Sequence, residues 1–255
     1  MRNFLNILSS SKYALAVIGM ATLIGFGSAR WADRSVTIDS IEIENLYENH
    51  FIDRQDILDL LNAKGDQLLM NNKMGSIDLN EIEERIENHQ FVSKAQAYLD
   101  VNGSLSITVK QNRPIARIIN PRGPDQYIST TGEILPESKH YTARVVLVMP
   151  EDRFWVDEYN FRDAKGGEEI FQLIDYISDH RFWNAQIAAI VIKKNLEIEL
   201  HTQVSKQVIE FGRAEDVEAK FRKLMAFYKR ILPYKGWNTY ERVSLKFNDQ
   251  IVCKK

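Results

Sequence analysis

The chain has 255 residues, 44% hydrophobic and 27% charged, with 33 Lys+Arg against 35 Asp+Glu and a single cysteine, Cys253. That length supports one large or two ordinary domains without covalent staples. One cysteine excludes an internal disulfide and multi-cysteine zinc sites. Residues 1–31 carry Arg2, Lys12 and Arg30 and no acid, so the remainder holds 30 basic against 35 acidic residues, a balance ill suited to a nucleic-acid backbone.

Tyr13 to Ala29 reads YALAVIGMATLIGFGSA, seventeen uncharged residues between Lys12 and Arg30. As a helix it would measure about 26 Å against a hydrocarbon core of roughly 30 Å. A short cytoplasmic tail (1–12) and a single transmembrane helix (13–31) are therefore expected, with Lys12, Arg30 and Trp31 as interface anchors. The competing reading is a cleaved signal peptide, because Gly27, Ser28 and Ala29 set small residues where a signal peptidase cuts. The anchor is favoured because the run exceeds the usual apolar region of roughly 7 to 15 residues. Both readings export the rest of the chain, and the positive-inside rule leaves the amino terminus in the cytoplasm.

In residues 36–112, Ile38, Ile41 and Ile43 give a strand with acids facing water. A helix follows, capped by Asp53, with Ile57, Leu58, Leu60 and Leu61 on its apolar side and Gly65 as its stop. A second helix opens on Asp78 with Glu81 three residues on, and Leu79, Ile82 and Ile86 share a face. Ala95, Ala97 and Leu99 alternate before Asn102-Gly103, and Leu105, Ile107 and Val109 after it. This spells a hairpin whose two central residues would both need positive φ. The order is strand, helix, helix, strand, strand.

Arg113-Pro114 marks a joint. Beyond it IARII (115–119), DQYIS (125–129), a TTGEILP turn and VVLVM (145–149) read as strands and connections. A helix is expected near Glu168 to His180, with Ile170, Leu173, Ile174 and Ile177 inward. Strands IAAIVI (187–192), LEIEL (196–200) and KQVIEF (206–211) come next. The strongest helix runs from about Glu215 to Leu232, with Val217, Phe221, Leu224, Met225, Tyr228 and Leu232 at spacings of three and four. A last strand, RVSLKF (242–247), would turn Val243, Leu245 and Phe247 inward, leaving NDQIVCKK as a tail. The fold class is α+β, the second domain (113–255) being β-rich with flanking helices.

No arrangement that catalysis needs is present: no G-x-S-x-G elbow, Walker loop, G-x-G-x-x-G or H-E-x-x-H. His50, His89, His140, His180 and His201 are scattered, with no pair at i, i+4 to grip a metal. Glu83, Glu84 and Glu87 read as the solvated face of their helix. No catalytic residue, metal or cofactor is expected. An exported, acidic, two-part body without reactive groups reads as an assembly or adaptor protein.

Taken in order, the span, the five-element module, R-P-I-A-R-I (113–118), D-Q-Y-I-S-T-T-G-E-I-L-P (125–136), F-G-R-x-x-D-V-E-x-K-F-x-K-L (211–224) and the terminal V-S-L-K-F resemble the bacterial FtsQ/DivIB cell-division family over nearly the whole chain. Thr130 or Thr131 stands where that family has an acid. The resemblance implies that the small module is POTRA-like. It implies a non-enzymatic scaffold of the divisome in the inner membrane at the septum, with its domains periplasmic. The implied partners are the small coiled-coil proteins FtsB and FtsL, and further FtsW/FtsI and FtsK types, linked to septal wall synthesis. In the family the last strands accept a strand from FtsB, which places partner binding at Val243, Ser244, Leu245, Lys246, Phe247 and Asn248, with Tyr240, Gln250 and Ile251 beside them. A terminal strand offering unpaired N–H and C=O groups is a physical template for such addition. The alternatives are another POTRA-bearing envelope chaperone or transport component, or an exported wall hydrolase.

Overall fold

The apolar run near the start of the chain is helical over residues 17–28 and 30–32 (α1). The structure is a computed structural model and describes residues 17–28, 30–44, 50–62, 73–138, 141–152, 158–248 and 250–255. The side chains of Val17, Ile18, Met20, Leu23, Ile24 and Phe26 are exposed. Among the described residues no helix is long and apolar enough to cross a membrane, since residues 17–28 measure only about 18 Å. Lys12, Tyr13 and Ala29 of the expected span lie outside the described residues. The Arg30 guanidinium stands 5.7 Å from the Phe26 ring centre, and Trp31 is exposed. The chain divides into two units, Met1–Asn45 with Ile52–Gln111, and Leu46–Phe51 with Asn112–Lys255.

In the first unit Ile38 and Ile41 are an odd number of residues apart, so one unbroken strand could not turn both to the same side. β1 (Thr37–Glu44) solves this with a register irregularity between Ile38 and Ser40 where it pairs, parallel, with the second strand of the hairpin β2 (Val92–Leu99) and β3 (Ser104–Gln111). The sheet order is β1-β3-β2. α2 (Arg54–Asn62) starts with a reciprocal cap, Asp56 N–H donating to Asp53 Oδ1 at 2.9 Å and Asp53 N–H to Asp56 Oδ2 at 2.7 Å. Asp78 caps α3 (Leu79–Glu87) by accepting from Asn80 and Glu81. Ile57 and Leu61 from α2, and Ile82 and Ile86 from α3, are fully buried with Leu105, Ile107 and Val109. Each such side chain contributes roughly 1.5–3 kcal/mol. The expected Gly65 stop lies outside the described residues.

The hairpin turn differs from the one expected. Gly103 alone takes positive φ (+93°). Gly103 N–H donates to Asp100 C=O, and Asp100 Oδ1 accepts from both Asn102 and Ser104 N–H. One Asp side chain thus stabilises a longer turn with a single left-handed residue, and those hydrogen bonds hold its carboxyl below the usual range.

The second unit is one nine-stranded sheet: β4 (Pro114–Ile118), β5 (Gln126–Ser129), β6 (Ile134–Leu135), β7 (Val146–Pro150), β8 (Ile187–Ile192), β9 (Ile198–Thr202), β10 (Val208–Gly212), β11 (Arg242–Ser244) and β12 (Val252–Lys254). They lie side by side in the order β12-β11-β10-β9-β8-β7-β4-β5-β6. Pro114 opens β4, where a missing N–H is tolerated. In the turn after β5 the buried Ser129 hydroxyl bonds Thr131 Oγ1 at 2.8 Å and accepts from Glu133 N–H.

Parallel neighbours need crossovers: β4 and β7 are connected through β5 and β6, whereas helices connect the other two pairs, α4 (Gly167–Asp179) and α5 (Arg181–Gln186) between β7 and β8, α6 (Val217–Arg230) and α7 (Leu232–Lys235) between β10 and β11. Ile170, Leu173, Ile174 and Ile177 of α4, Trp183 of α5, and Phe221, Leu224, Phe227 and Tyr228 of α6 form one core with Val148, Ile190, Leu200, Ile209, Val243 and Leu245 of the sheet side. α5 had no sequence signal; His180 ends α4 and its ring accepts from Trp183 N–H at the start of α5. The long helix expected to reach Leu232 breaks at Ile231 into α6 and α7.

Two corrections concern the end of the chain. The strand expected over 242–247 is β11, only Arg242–Ser244, and the expected tail contains a strand of its own, β12. Phe247, expected inward, is 50% exposed. The cause lies in β10: it ends at Gly212, whose φ of +76° turns the chain away. Leu245 N–H still reaches Glu210 C=O at 2.9 Å, but no further β10 residue remains to hold Phe247 against the sheet.

Candidate partner-docking margin

The last strands are seated from below by hydrophobic residues and from beside by charge. Val243 and Leu245 alternate into the core and are fully buried. β11 runs parallel to β10 in the register Val208↔Arg242, Ile209↔Val243, Glu210↔Ser244. That register carries Arg242 to two acids on the opposite face: its Nε donates to Glu210 Oε1 at 2.5 Å and its Nη2 to Glu199 Oε1. Lys193 joins from the far side, 3.0 Å from Glu151 and 3.4 Å from Glu199. Half-burial alone would raise the Glu199 carboxyl, but Arg242 and Lys193 outweigh it and hold it below the ordinary range. The Glu210 and Glu199 bonds raise the Arg242 guanidinium.

Beyond Ser244 a helix takes over the support. Lys223 on α6 donates from Nζ to Phe247 C=O at 2.6 Å and Leu245 C=O at 3.4 Å. Lys246 pairs with Glu197 at 2.7 Å, and that bond holds Glu197 below its usual range. Tyr240 packs against the core with its ring 6.0 Å from Phe227, and its carbonyl accepts from Gln207 Nε2.

The expected binding residues therefore fall into three groups. Val243, Ser244 and Leu245 are buried and serve as the seat. Lys246, Phe247, Asn248 and Gln250 are exposed along the same margin, and Tyr240 and Ile251 are half-buried at its base. The expectation of an open backbone margin along the whole of 242–247 is corrected: β12 pairs antiparallel with Arg242–Ser244 as Arg242↔Lys254, Val243↔Cys253 and Ser244↔Val252. Sequence reading missed β12, although Ile251-Val252-Cys253 is a β-prone triplet, and it missed Lys223, Glu199 and Glu210, whose roles exist only once the strands are side by side. Cys253 is half-buried, and burial pushes its thiol up, away from reactivity.

The opposite margin of this sheet is blunted. β6 has two residues, and the segment at 159–160 crosses it, with Ile134 N–H donating to Tyr159 C=O and Glu133 bridging Asn160. Among the described residues, no three His, Cys, Asp or Glu side chains converge as a metal site.

Residues 37–110 match a POTRA-like domain, and residues 113–254 match the family described as FtsQ/DivIB, C-terminal related. No curated protein matches the chain. The second match covers the nine-stranded sheet, its helices and the margin at Arg242–Lys254, more than half of the 255 residues, so the chain belongs to the FtsQ/DivIB family.

Proposed function

We propose that the protein is a membrane-anchored, non-enzymatic scaffold of the division machinery that captures FtsB- and FtsL-type partners at the C-terminal margin of its nine-stranded sheet. The observation that carries this reading is the margin itself. β12 ends the sheet, the ladder to it stops at Ser244, and Leu245–Phe247 run on under the hold of Lys223 with Phe247 half in solvent. Backbone ladder bonds at roughly 1 kcal/mol each, with one apolar anchor, suffice for a weak strand partner. Confinement of both chains to one membrane raises their effective concentration. The exposed apolar side chains of α1, followed by Arg30 and Trp31, support membrane attachment near the start of the chain.

The test is co-expression of the full chain with the FtsB- and FtsL-type proteins of its own genome, extraction in detergent and purification through a tag on the scaffold. Recovery of both partners in a stable complex supports the reading. Their absence from a folded, membrane-extracted protein overturns it, as does clearing of cell wall in a zymogram.

A further inference from the structure

We propose that the base of the first unit is a footing on the bilayer surface: the hairpin tip at Val101 and the side chains of Arg30 and Arg34 rest on anionic phospholipid headgroups where α1 leaves the membrane. This rests on the reading that α1 attaches the chain to a membrane, and it adds a second membrane contact, made by the folded body itself.

Three observations carry it. The first is that no slack separates the helix from the folded unit. α1 ends at residue 32 and β1 begins at Thr37. Between them Arg34 C=O accepts from Met74 N–H at 2.8 Å, Ser35 forms a bridge with Lys73, and Arg34 Nη1 donates to Val101 C=O at 2.7 Å. Two glycines allow the close approach: a Cβ on Gly75 would stand 2.8 Å from Ala32 Cβ, and one on Gly103 2.6 Å from the Ser35 carbonyl oxygen. The tip is therefore carried wherever the end of α1 goes. The second is what the joint shows to its surroundings. Val101 is 69% exposed in the turn and Trp31 is 43% exposed at the end of α1, and an indole favours the boundary between bilayer and water. The third is charge. Asp33 pairs with Lys73, and the Asp100 carboxylate is taken up by N–H groups of its own turn. Arg30 and Arg34 line an open hollow beside Asp33. Arg34 spends one nitrogen on Val101, and the rest of its fork suits a phosphate, which a guanidinium matches with two parallel bonds. Two arginines on the exported side also run against the positive-inside rule, a cost that headgroup pairing offsets.

The test places a nitroxide on Val101→Cys in the full chain carrying Cys253→Ser, reconstituted in nanodiscs of phosphatidylcholine alone or mixed with phosphatidylglycerol. Collision of the nitroxide with a water-soluble nickel chelate and with membrane-dissolved oxygen reads its depth. A label on Lys94→Cys, exposed near the other end of the hairpin, is the reference. The footing predicts a label at position 101 shielded from nickel in the anionic discs and less so in the neutral ones, with the label at position 94 open to nickel in both. Arg30→Gln, which leaves the bonds of the tip untouched, should lower the ratio of seated to free tip about fivefold in the anionic discs, the share of one arginine beside an anionic surface. Equal nickel access at the two positions overturns the footing, as does shielding that is the same in both discs or unmoved by Arg30→Gln, for then no headgroup is bound. Asn102→Cys supplies the label site if Val101→Cys fails to fold. A folded chain that enters neither disc removes the membrane reading itself, and the footing with it.

Discussion

Two sheet margins in this chain face the same hazard, a row of backbone groups that another chain could pair with, and they meet it by different means. At β2 the answer comes from a helix: Glu87 Oε1 accepts from Ala95 N–H at 3.0 Å and Glu83 Oε1 from Ala97 N–H at 2.7 Å, so two carboxylates of α3 occupy two outward donors of the edge. At β11 the answer is another strand, β12, three residues long. A carboxylate latch fills two of the edge's donors beside an acidic helix face, whereas a terminal strand leaves the sheet ending in backbone. The first device fills edge donors with side chains; the second ends the sheet in a further strand.

The largest effect expected separates the seat of the C-terminal margin from its terminal strand. Leu245→Ala empties a fully buried position and should lower stability by about 2–5 kcal/mol. Loss of residues 252–255 should lower it by about 1 kcal/mol or less, since those side chains are mostly in water. Urea unfolding of both variants measures the difference, and equal losses would mean that β11 cannot stand without β12.

Next in size is the latch. Glu83→Ala with Glu87→Ala strips two acceptors from partly buried N–H groups and should cost about 1–3 kcal/mol in all. Glu→Gln at both sites keeps an acceptor oxygen and should recover most of it. The alanine pair should also begin to self-associate with rising concentration, read by analytical ultracentrifugation, because an unlatched β2 is an ordinary open edge. If the alanine pair stays monomeric and as stable as the parent, the carboxylates do not guard the strand.

These two margins also show how far the sequence could be read. The repeating apolar positions of β2, β3, α2 and α3 gave the first unit's order of elements, because the periods of two and 3.6 are local properties. The pairs that close the margins were not legible for a shared reason. Glu83 and Glu87 look like solvated helix acids until a strand edge lies beside them, and Ile251-Val252-Cys253 looks like a tail until β11 offers it a neighbour. Phe247 was misread by the reverse error: alternation predicted burial, but β10 had run out at Gly212. The choice of Asn102-Gly103 turn failed because Asp100, outside the dipeptide, bonds across the loop.

A smaller effect comes from pH. Glu199 and Glu197 have folded carboxyls below their ordinary range, so their ion pairs contribute fully above the unfolded value of about 4.3. That contribution is lost as pH falls through the depressed folded value. Thermal midpoints should therefore decline on acidification below about pH 5, and Arg242→Met should weaken the part due to Glu199. The groups are partly exposed, so solvent screening limits the change to about 1 kcal/mol. A decline identical in the Arg242→Met protein would show that the acid sensitivity lies elsewhere.

The smallest change in stability should accompany one of the larger changes in binding. Phe247 is half exposed, and its hold on the chain runs through its carbonyl to Lys223 rather than through its ring. Phe247→Ser keeps that carbonyl and should leave stability within about 0.5 kcal/mol. The same ring stands exposed just past the last pair with β12, where it would serve a captured partner as an apolar anchor. Its loss should weaken capture about tenfold or more, roughly 1.4 kcal/mol, while the matching surface change in the first unit, Tyr98→Ser on the latched β2 edge, should leave capture unchanged. Equal effects of the two substitutions would mean that the C-terminal margin is not where the partner docks.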